Sequence, residues 1–129
     1  MAKMYYDDDA DLKTLKGKKI AIVGYGIQGR GQGLNLRDSG IDVIISQRKG
    51  GKNYDLAVED GFEPVEAEEA AREADIIQLL AQDHLQAEIY EKSIAPYLKP
   101  GKSLLFSHGF NIHFGYIKPP KEIDVYMVA

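Results

Sequence analysis

Three glycines at the spacing G-x-G-x-x-G (Gly24, Gly26 and Gly29) stand between an apolar run and an amphipathic run. In such a turn the first glycine makes the tight bend, the second lets a pyrophosphate approach the backbone, and the third lets helix and strand pack closely. The helix N-terminus adds free N–H groups and a partial positive charge. The spacing therefore predicts a dinucleotide site, and a tight turn that binds nothing stays open as the alternative.

Cations follow the second predicted strand, where the type of side chain separates the two nicotinamide cofactors. A site selective for NAD places Asp or Glu there to bond the ribose 2′-hydroxyl. This chain instead has Ser46, Gln47, Arg48, Lys49 and Lys52. Because Arg binds a phosphate bidentately and Lys binds it as a point charge, the loop favours NADP. A solvated basic loop is the alternative.

Histidine is the residue type best suited to proton transfer, and the chain has His84, His108 and His113. His108 follows a predicted strand and could donate or relay a proton, since imidazole titrates near neutrality; a structural histidine is the alternative. His84 beside Asp83 could act as a general base, but neighbours on a helix point in different directions, which favours an exposed polar pair. We expect His113 to be structural or on the surface.

Nucleophilic catalysis finds little support in the pattern. Ser107 lies next to His108, but no G-x-S-x-G elbow is present and adjacent strand residues face opposite ways. A dyad of His84 with Ser46 or Ser107 would apply only to a reshaped pocket.

Strands and helices alternate along the chain, which predicts an α/β fold. The continuous apolar run Ile20–Val23 is typical of a parallel strand buried on both faces. We expect a Rossmann-like doubly wound parallel sheet in a three-layer α/β/α single domain over residues 1–129. The further predicted strands are 41–46, 75–81, 102–109 and 123–129, and the predicted helices are 28–40, 54–61, 66–74 and 83 to at least 94.

Composition limits the classes of function. The chain has 129 residues, a formal net charge of −4 and no cysteine, so disulfides, thiol catalysis and thiolate metal sites are excluded. The acidic balance argues against a nucleic-acid or membrane-surface partner. The acidic N-terminus is unlike a signal peptide, and no apolar run approaches the ~20 residues that span a bilayer. We expect a cytoplasmic protein.

Several stretches resemble ketol-acid reductoisomerase (acetohydroxyacid isomeroreductase), specifically its N-terminal NADP-binding domain. They are "LKGKKIAIVGYGIQG", "LNLRDSG", "LQAEIYEKSIAPYLKPG", "SHGFNIHFG" and "DVYMVA". The resemblance implies a role in branched-chain amino-acid biosynthesis. Enzymes of this family move an alkyl group within a 2-acetohydroxy acid and reduce the product with NADPH, using two magnesium ions.

The resemblance and the glycine turn together give a set of expected cofactor contacts. The family's active-site histidine falls on His108. The expected cofactor-binding residues are Gly24, Tyr25, Gly26, Ile27, Gln28, Gly29, Arg48, Lys49, Gly51, Lys52, Asn53, Asp83, His84, Leu85 and Gln86.

Two departures from the family bear on function. The family's helical, knotted C-terminal domain, which brings the magnesium carboxylates and most of the substrate pocket, is absent from the 129 residues. We therefore expect an isolated NADP(H)-binding domain that holds no metal and does not perform the full reaction. A homodimer could form through the surface left by the missing domain, and Tyr116, Ile117 and Tyr126 fit such a patch.

The second departure lies in the cofactor cleft. The family usually has Ser where Ile27 stands, Gly where Ser46 stands, and "LPDE" where this chain has "AQDH" at 81–84. Because these changes converge on one cleft, an alternative is an engineered small-molecule-binding or catalytic pocket on the truncated scaffold, with weakened cofactor binding.

Overall fold

A five-stranded, entirely parallel sheet forms the centre of the computed structural model, which describes residues 1–129. The strand order is β2-β1-β3-β4-β5, and the prediction of a doubly wound parallel sheet is confirmed. The strands are β1 Lys19–Val23, β2 Asp42–Ser46, β3 Ile76–Leu79, β4 Ser103–Phe106 and β5 Asp124–Met127.

All four predicted helices are present. The helices are α1 Ile27–Asp38, α2 Lys52–Glu59, α3 Ala67–Glu73, α4 Asp83–Ile89 and the short α5 Phe110–His113, which the sequence pattern did not predict. The helix that begins at Asp83 changes to a π-helical turn over Tyr90–Ile94 and then to a 3-10 turn over Ala95–Tyr97. Pro96 accounts for the disturbed end, since it has no backbone N–H to continue the α-helical ladder.

Apolar residues cover both faces of the sheet and make the three layers. On one face, Ala70, Ala71 and Ala74 of the α3 segment pack against strand residues such as Ile77 and Leu79. The small alanines let α3 lie close to the sheet. On the other face a smaller cluster joins α2 to the strands through Ile20, Ile22, Tyr25, Ile45, Ala57 and Ile76.

A buried lysine fastens the end of α3 to the start of β4. The Lys102 ammonium donates to the carbonyl oxygens of Ala71, Arg72 and Ala74 at 2.6, 2.9 and 2.8 Å. These are carbonyls that a helix C-terminus leaves without partners. Burial lowers the pKa of Lys102, and the three acceptors compensate for the loss of water around the charge.

The far edge of the sheet exposes apolar and aromatic side chains. All four residues of β5 are exposed, Tyr126 among them, and Tyr116 is exposed as well. Ile117, which the sequence placed on the same surface patch, is only 2% exposed and belongs to the core. No helix in the structure has both the length and the apolar character that crossing a membrane requires.

The order of the strands indicates at which edge of the sheet a ligand would bind. The connection from β1 runs outward to β2, and the next connection crosses back over β1 to β3. In open α/β sheets, ligands bind outside the carboxyl ends of the strands at the point where the order reverses. The glycine turn after β1 lies at this point.

Candidate functional site

Close backbone packing explains two of the three motif glycines. Gly24 has φ +106°, and a Cβ placed on it would lie 2.6 Å from the Ala81 backbone nitrogen. A Cβ on Gly29 would lie 1.9 Å from the Gly24 carbonyl oxygen. Any side chain at either position would force the turn away from the sheet or from α1.

The middle glycine leaves room in front of α1. A Cβ on Gly26 would meet no protein atom within 4 Å. Gly26 is also the N-cap of α1, and no side chain caps the helix. The first amides of α1, from Ile27 to Gly29, accordingly have no acceptor in the protein. This helix end, open to solvent and rich in free donors, fits a phosphate group.

Two expected cofactor residues stand at this helix end. Ile27 is the first residue of α1 and its side chain is 96% exposed. Gln28 follows it and is exposed too. The isoleucine side chain therefore lies in solvent at the point where α1 begins.

The basic loop between β2 and α2 lies at the same edge of the sheet. Arg48, Lys49 and Lys52 are exposed, and none of them forms an ion pair. Gly51 is the N-cap of α2, and Asn53 is the second residue of that helix. The loop therefore offers three free cations near a second helix N-terminus.

A cavity of about 410 Å³ opens beside the glycine turn. Its near wall contains Gly24, Ser46, Gln47 and Arg48, and its far wall comes from the start of α3, from α4 and from the π-helical turn. This volume is in the range of small-molecule sites, roughly 300–1,000 Å³. The far wall includes Glu66, Ala67, Glu68, Leu85, Glu88, Ile89, Lys92 and Ser93.

Two of the three glutamates on the far wall, Glu68 and Glu88, have partners there, whereas Glu66 has none. Ser93 Oγ donates to Glu68 Oε1 at 2.8 Å, and this bond lowers the pKa of Glu68. Lys92 Nζ lies 2.5 Å from Glu88 Oε1. Arg48 is then the one cation of the cavity lining without a carboxylate partner, at the end nearest the glycine turn.

The side chains of the segment 83–86 lie in different places, some at the cavity and some in the interior of the protein. Leu85 lines the cavity. Gln86 is buried, its Nε2 donates to the Ala81 carbonyl at 2.7 Å, and its Oε1 accepts from Asn111 Nδ2 at 3.0 Å. Asn111 Nδ2 also donates to the Asp83 carbonyl at 3.0 Å. The Gln86 side chain thus joins α4 to α5 and does not line the cavity.

The histidines are not brought together with a nucleophile. His84 is exposed and hydrogen-bonds to neither Ser46 nor Ser107; the Ser107 Oγ is buried without a hydrogen-bond partner. His108 Nδ1 accepts the Phe110 N–H at 3.2 Å and lies 3.8 Å from Asp83 Oδ2. With Nδ1 used as an acceptor, His108 keeps Nε2 available, but it does not line the cavity.

His113 is exposed and packs edge-on against Phe114. No three side chains of the His, Asp and Glu types come together in a group that could hold a metal ion.

Two residues outside the expected set of cofactor contacts, Gln47 and Asp60, hold the glycine turn in place. Gln47 Oε1 accepts the Tyr25 N–H at 2.7 Å, and Asp60 Oδ2 accepts the Tyr25 hydroxyl at 2.7 Å. The Tyr25 side chain is fully buried, so a ligand in the cleft cannot touch it. A signal for Asp60 did exist: it is the C-cap of α2, where a negative charge is unfavourable unless a cation or donor stands nearby.

Hydrogen bonds, burial and neighbouring charges shift the pKa values of Asp60 and Tyr25. The bonds from Arg30 and then from Tyr25 lower the pKa of Asp60 to about 2. Burial, followed by the bond to Asp60, raises the pKa of Tyr25 to about 12. Near neutral pH the aspartate is therefore ionised and the tyrosine neutral, which is the arrangement that the hydrogen bond needs.

Comparison with known proteins decides the family. Residues 14–129 match the family described as "Acetohydroxy acid isomeroreductase, NADPH-binding domain". The chain belongs to this family. Over all 129 residues it is 57% identical to the ketol-acid reductoisomerase (NADP(+)) of Pyrobaculum islandicum, of which it covers 39%. The chain thus spans about two-fifths of that relative's length.

One solved structure supports the assignment to the acetohydroxy acid isomeroreductase family, and a second has a similar fold. An NADH-preferring ketol-acid reductoisomerase from an uncultured archaeon superposes with a TM-score of 0.94 at 44% identity, over 99% of this chain and 40% of that one. A semialdehyde dehydrogenase NAD-binding protein from Cupriavidus necator, in complex with calcium and NAD, gives a TM-score of 0.73 at 27% identity. It covers 85% of this chain, and this chain matches 40% of it.

Proposed function

We propose that the chain binds NADP(H) across the carboxyl edge of the sheet. The observation that carries this proposal is the uncapped N-terminus of α1 beside the open space at Gly26. The pyrophosphate would accept hydrogen bonds from the free amides of Ile27 and Gln28, and the helix dipole would favour its charge.

The basic loop supports the choice of NADP over NAD. The matched family is described as NADPH-binding, but one of its structural relatives prefers NADH, so the choice between the cofactors depends on this chain's own residues. In this chain Gln47, Arg48 and Lys49 follow β2, where an NAD-selective site would place an acid. Arg48 and the two lysines would hold the 2′-phosphate, and the cavity beyond Arg48 would receive the adenosine.

Catalysis of the full family reaction is not part of the proposal. The alkyl migration and reduction belong to the whole relatives, which are about two and a half times as long. Without a cluster of metal-binding carboxylates, Lewis-acid assistance to the alkyl shift has no ligands in these 129 residues.

We expect no conversion of 2-acetolactate by the chain alone. With NADPH and magnesium present, absorbance at the NADPH band should stay constant after substrate is added. NADPH oxidation that requires both the substrate and the metal would contradict this part of the proposal.

Arg48→Ala should lower NADPH affinity by about tenfold or more, because a charge-assisted hydrogen bond to phosphate contributes roughly 1.5–3 kcal/mol. NADH affinity should change little, since NADH lacks the 2′-phosphate. Fluorescence titration of both cofactors measures the two constants, and added salt should weaken the NADPH preference.

Arg72→Ala is the matched control, because Arg72 lies on α3 with its guanidinium over the Tyr97 ring, outside the cavity lining. It should leave both affinities unchanged. Equal binding of NADH and NADPH by the unmodified chain would contradict the assignment to NADP.

Ile27→Ser should raise NADPH affinity by about tenfold, because it restores a hydroxyl at the first residue of α1 and removes an exposed branched side chain there. Calorimetric titration measures the change. Ile112→Ser, at a partly exposed isoleucine of α5, controls for the loss of apolar surface. If Ile27→Ser binds NADPH no better than the parent, the isoleucine does not limit binding.

A further inference from the structure

Tyr25 is held at both of its ends. Its amide donates to Gln47 and its hydroxyl to Asp60, each at 2.7 Å, and its ring packs edge-on against Phe62 with centroids 5.8 Å apart. The residue lies between the first two motif glycines. It is part of the phosphate-binding turn, although its side chain faces the interior.

Both hydrogen-bond partners belong to the segment that carries the basic loop. Gln47 comes immediately before Arg48, and Asp60 ends α2, whose first residue is Lys52. The eight residues of α2 form a rigid rod of about 12 Å between the loop and Asp60. The basic loop is thus tied, on either side, to one tyrosine of the glycine turn.

Asp60 is a fixed acceptor. Arg30 donates to its two carboxylate oxygens, from Nε at 2.8 Å and from Nη2 at 3.1 Å, and Arg37 Nη1 donates to its carbonyl at 2.5 Å. Both arginines come from α1, and Arg37 also stacks on Phe62. The Tyr25 hydroxyl therefore bonds to a carboxylate that α1 holds in place.

We infer that Tyr25 is a positioning residue: through Gln47 and Asp60 it couples the glycine turn to the basic loop and keeps the two phosphate-binding segments at one separation. The inference rests on the proposed function, because it assumes that one ligand spans both segments. NADPH would engage the turn with its pyrophosphate and the loop with its 2′-phosphate. NADH would engage the turn alone, so the preference for NADPH should depend on this coupling.

Tyr25→Phe tests the coupling by removing a single oxygen atom, while Arg30 continues to satisfy Asp60. We expect NADPH affinity to fall by about threefold to tenfold, the range that one hydrogen bond allows, and NADH affinity to change by less than about twofold. Tyr90→Phe is the matched control, since Tyr90 is a buried tyrosine outside the cavity lining whose hydroxyl makes no hydrogen bond. It should leave both affinities unchanged.

If Tyr25 had only a structural role, Tyr25→Phe would lower the affinities for NADPH and NADH together or would lower neither. Either outcome would overturn the inference. Asp60→Asn keeps the shape of the side chain and provides a second variant should Tyr25→Phe fold poorly. It should lower the same preference, and the double variant should lose little more than either single variant, because the two residues act as one unit.

Amide hydrogen exchange tests the inference without any ligand. The amides of Arg30, which donates to the Gly26 carbonyl, and of Tyr54 and Asp55, which donate to the Gly51 carbonyl, report on the turn and on the start of α2. Tyr25→Phe should speed exchange in both segments relative to Tyr90→Phe. Unchanged exchange would overturn the coupling. Failure of the unmodified chain to bind either cofactor would overturn the proposed function instead.

Discussion

The structure depends on how closely the glycine turn passes the sheet and the first helix. With 1.9 Å between the Gly24 oxygen and a Cβ built on Gly29, the two segments approach as only glycine permits. The same approach brings the turn against the end of β3, where a Cβ on Gly24 would collide with Ala81. These contacts fix the direction in which α1 leaves the sheet, and its unsatisfied amides therefore face the carboxyl edge.

The site follows from that geometry. In the proposed site, the uncapped N-terminus of α1 would bind one phosphate, and Arg48, Lys49 and Lys52, which form no ion pair, would bind the other. Tyr25, below the surface, hydrogen-bonds to Gln47 and Asp60 on either side of these cations. The cavity beside Arg48 extends the site toward α3 and α4, where Glu68 and Glu88 are already bonded to Ser93 and Lys92. The charge that a ligand meets is therefore positive at the turn and negative on the far wall of the cavity, where Glu66, Glu68 and Glu88 outnumber Lys92.

The sequence predicted the parts of this structure that depend on local pattern. Continuous apolar runs located the strands, and the glycine spacing located the turn. Contacts between distant residues could not be predicted: the C-cap position of Asp60 indicates that it needs a donor or cation nearby, but it does not identify Tyr25, 35 residues away, as that donor. The expected contact of Gln86 with the cofactor is another case, because its side chain is buried and hydrogen-bonded to Asn111 of α5. The four residues of α5 are too few to show a helical periodicity in the sequence.

If the glycine turn and the basic loop form one NADP(H) site, both segments must respond together when the cofactor binds. Two-dimensional ¹⁵N–¹H NMR, recorded while NADPH is added to the labelled chain, measures this response. We expect the amide signals of Ile27 and Gln28 and those of residues 48–52 to shift the most, and both sets to follow one saturation curve. Shifts in only one of the two segments, or none in either, would contradict it.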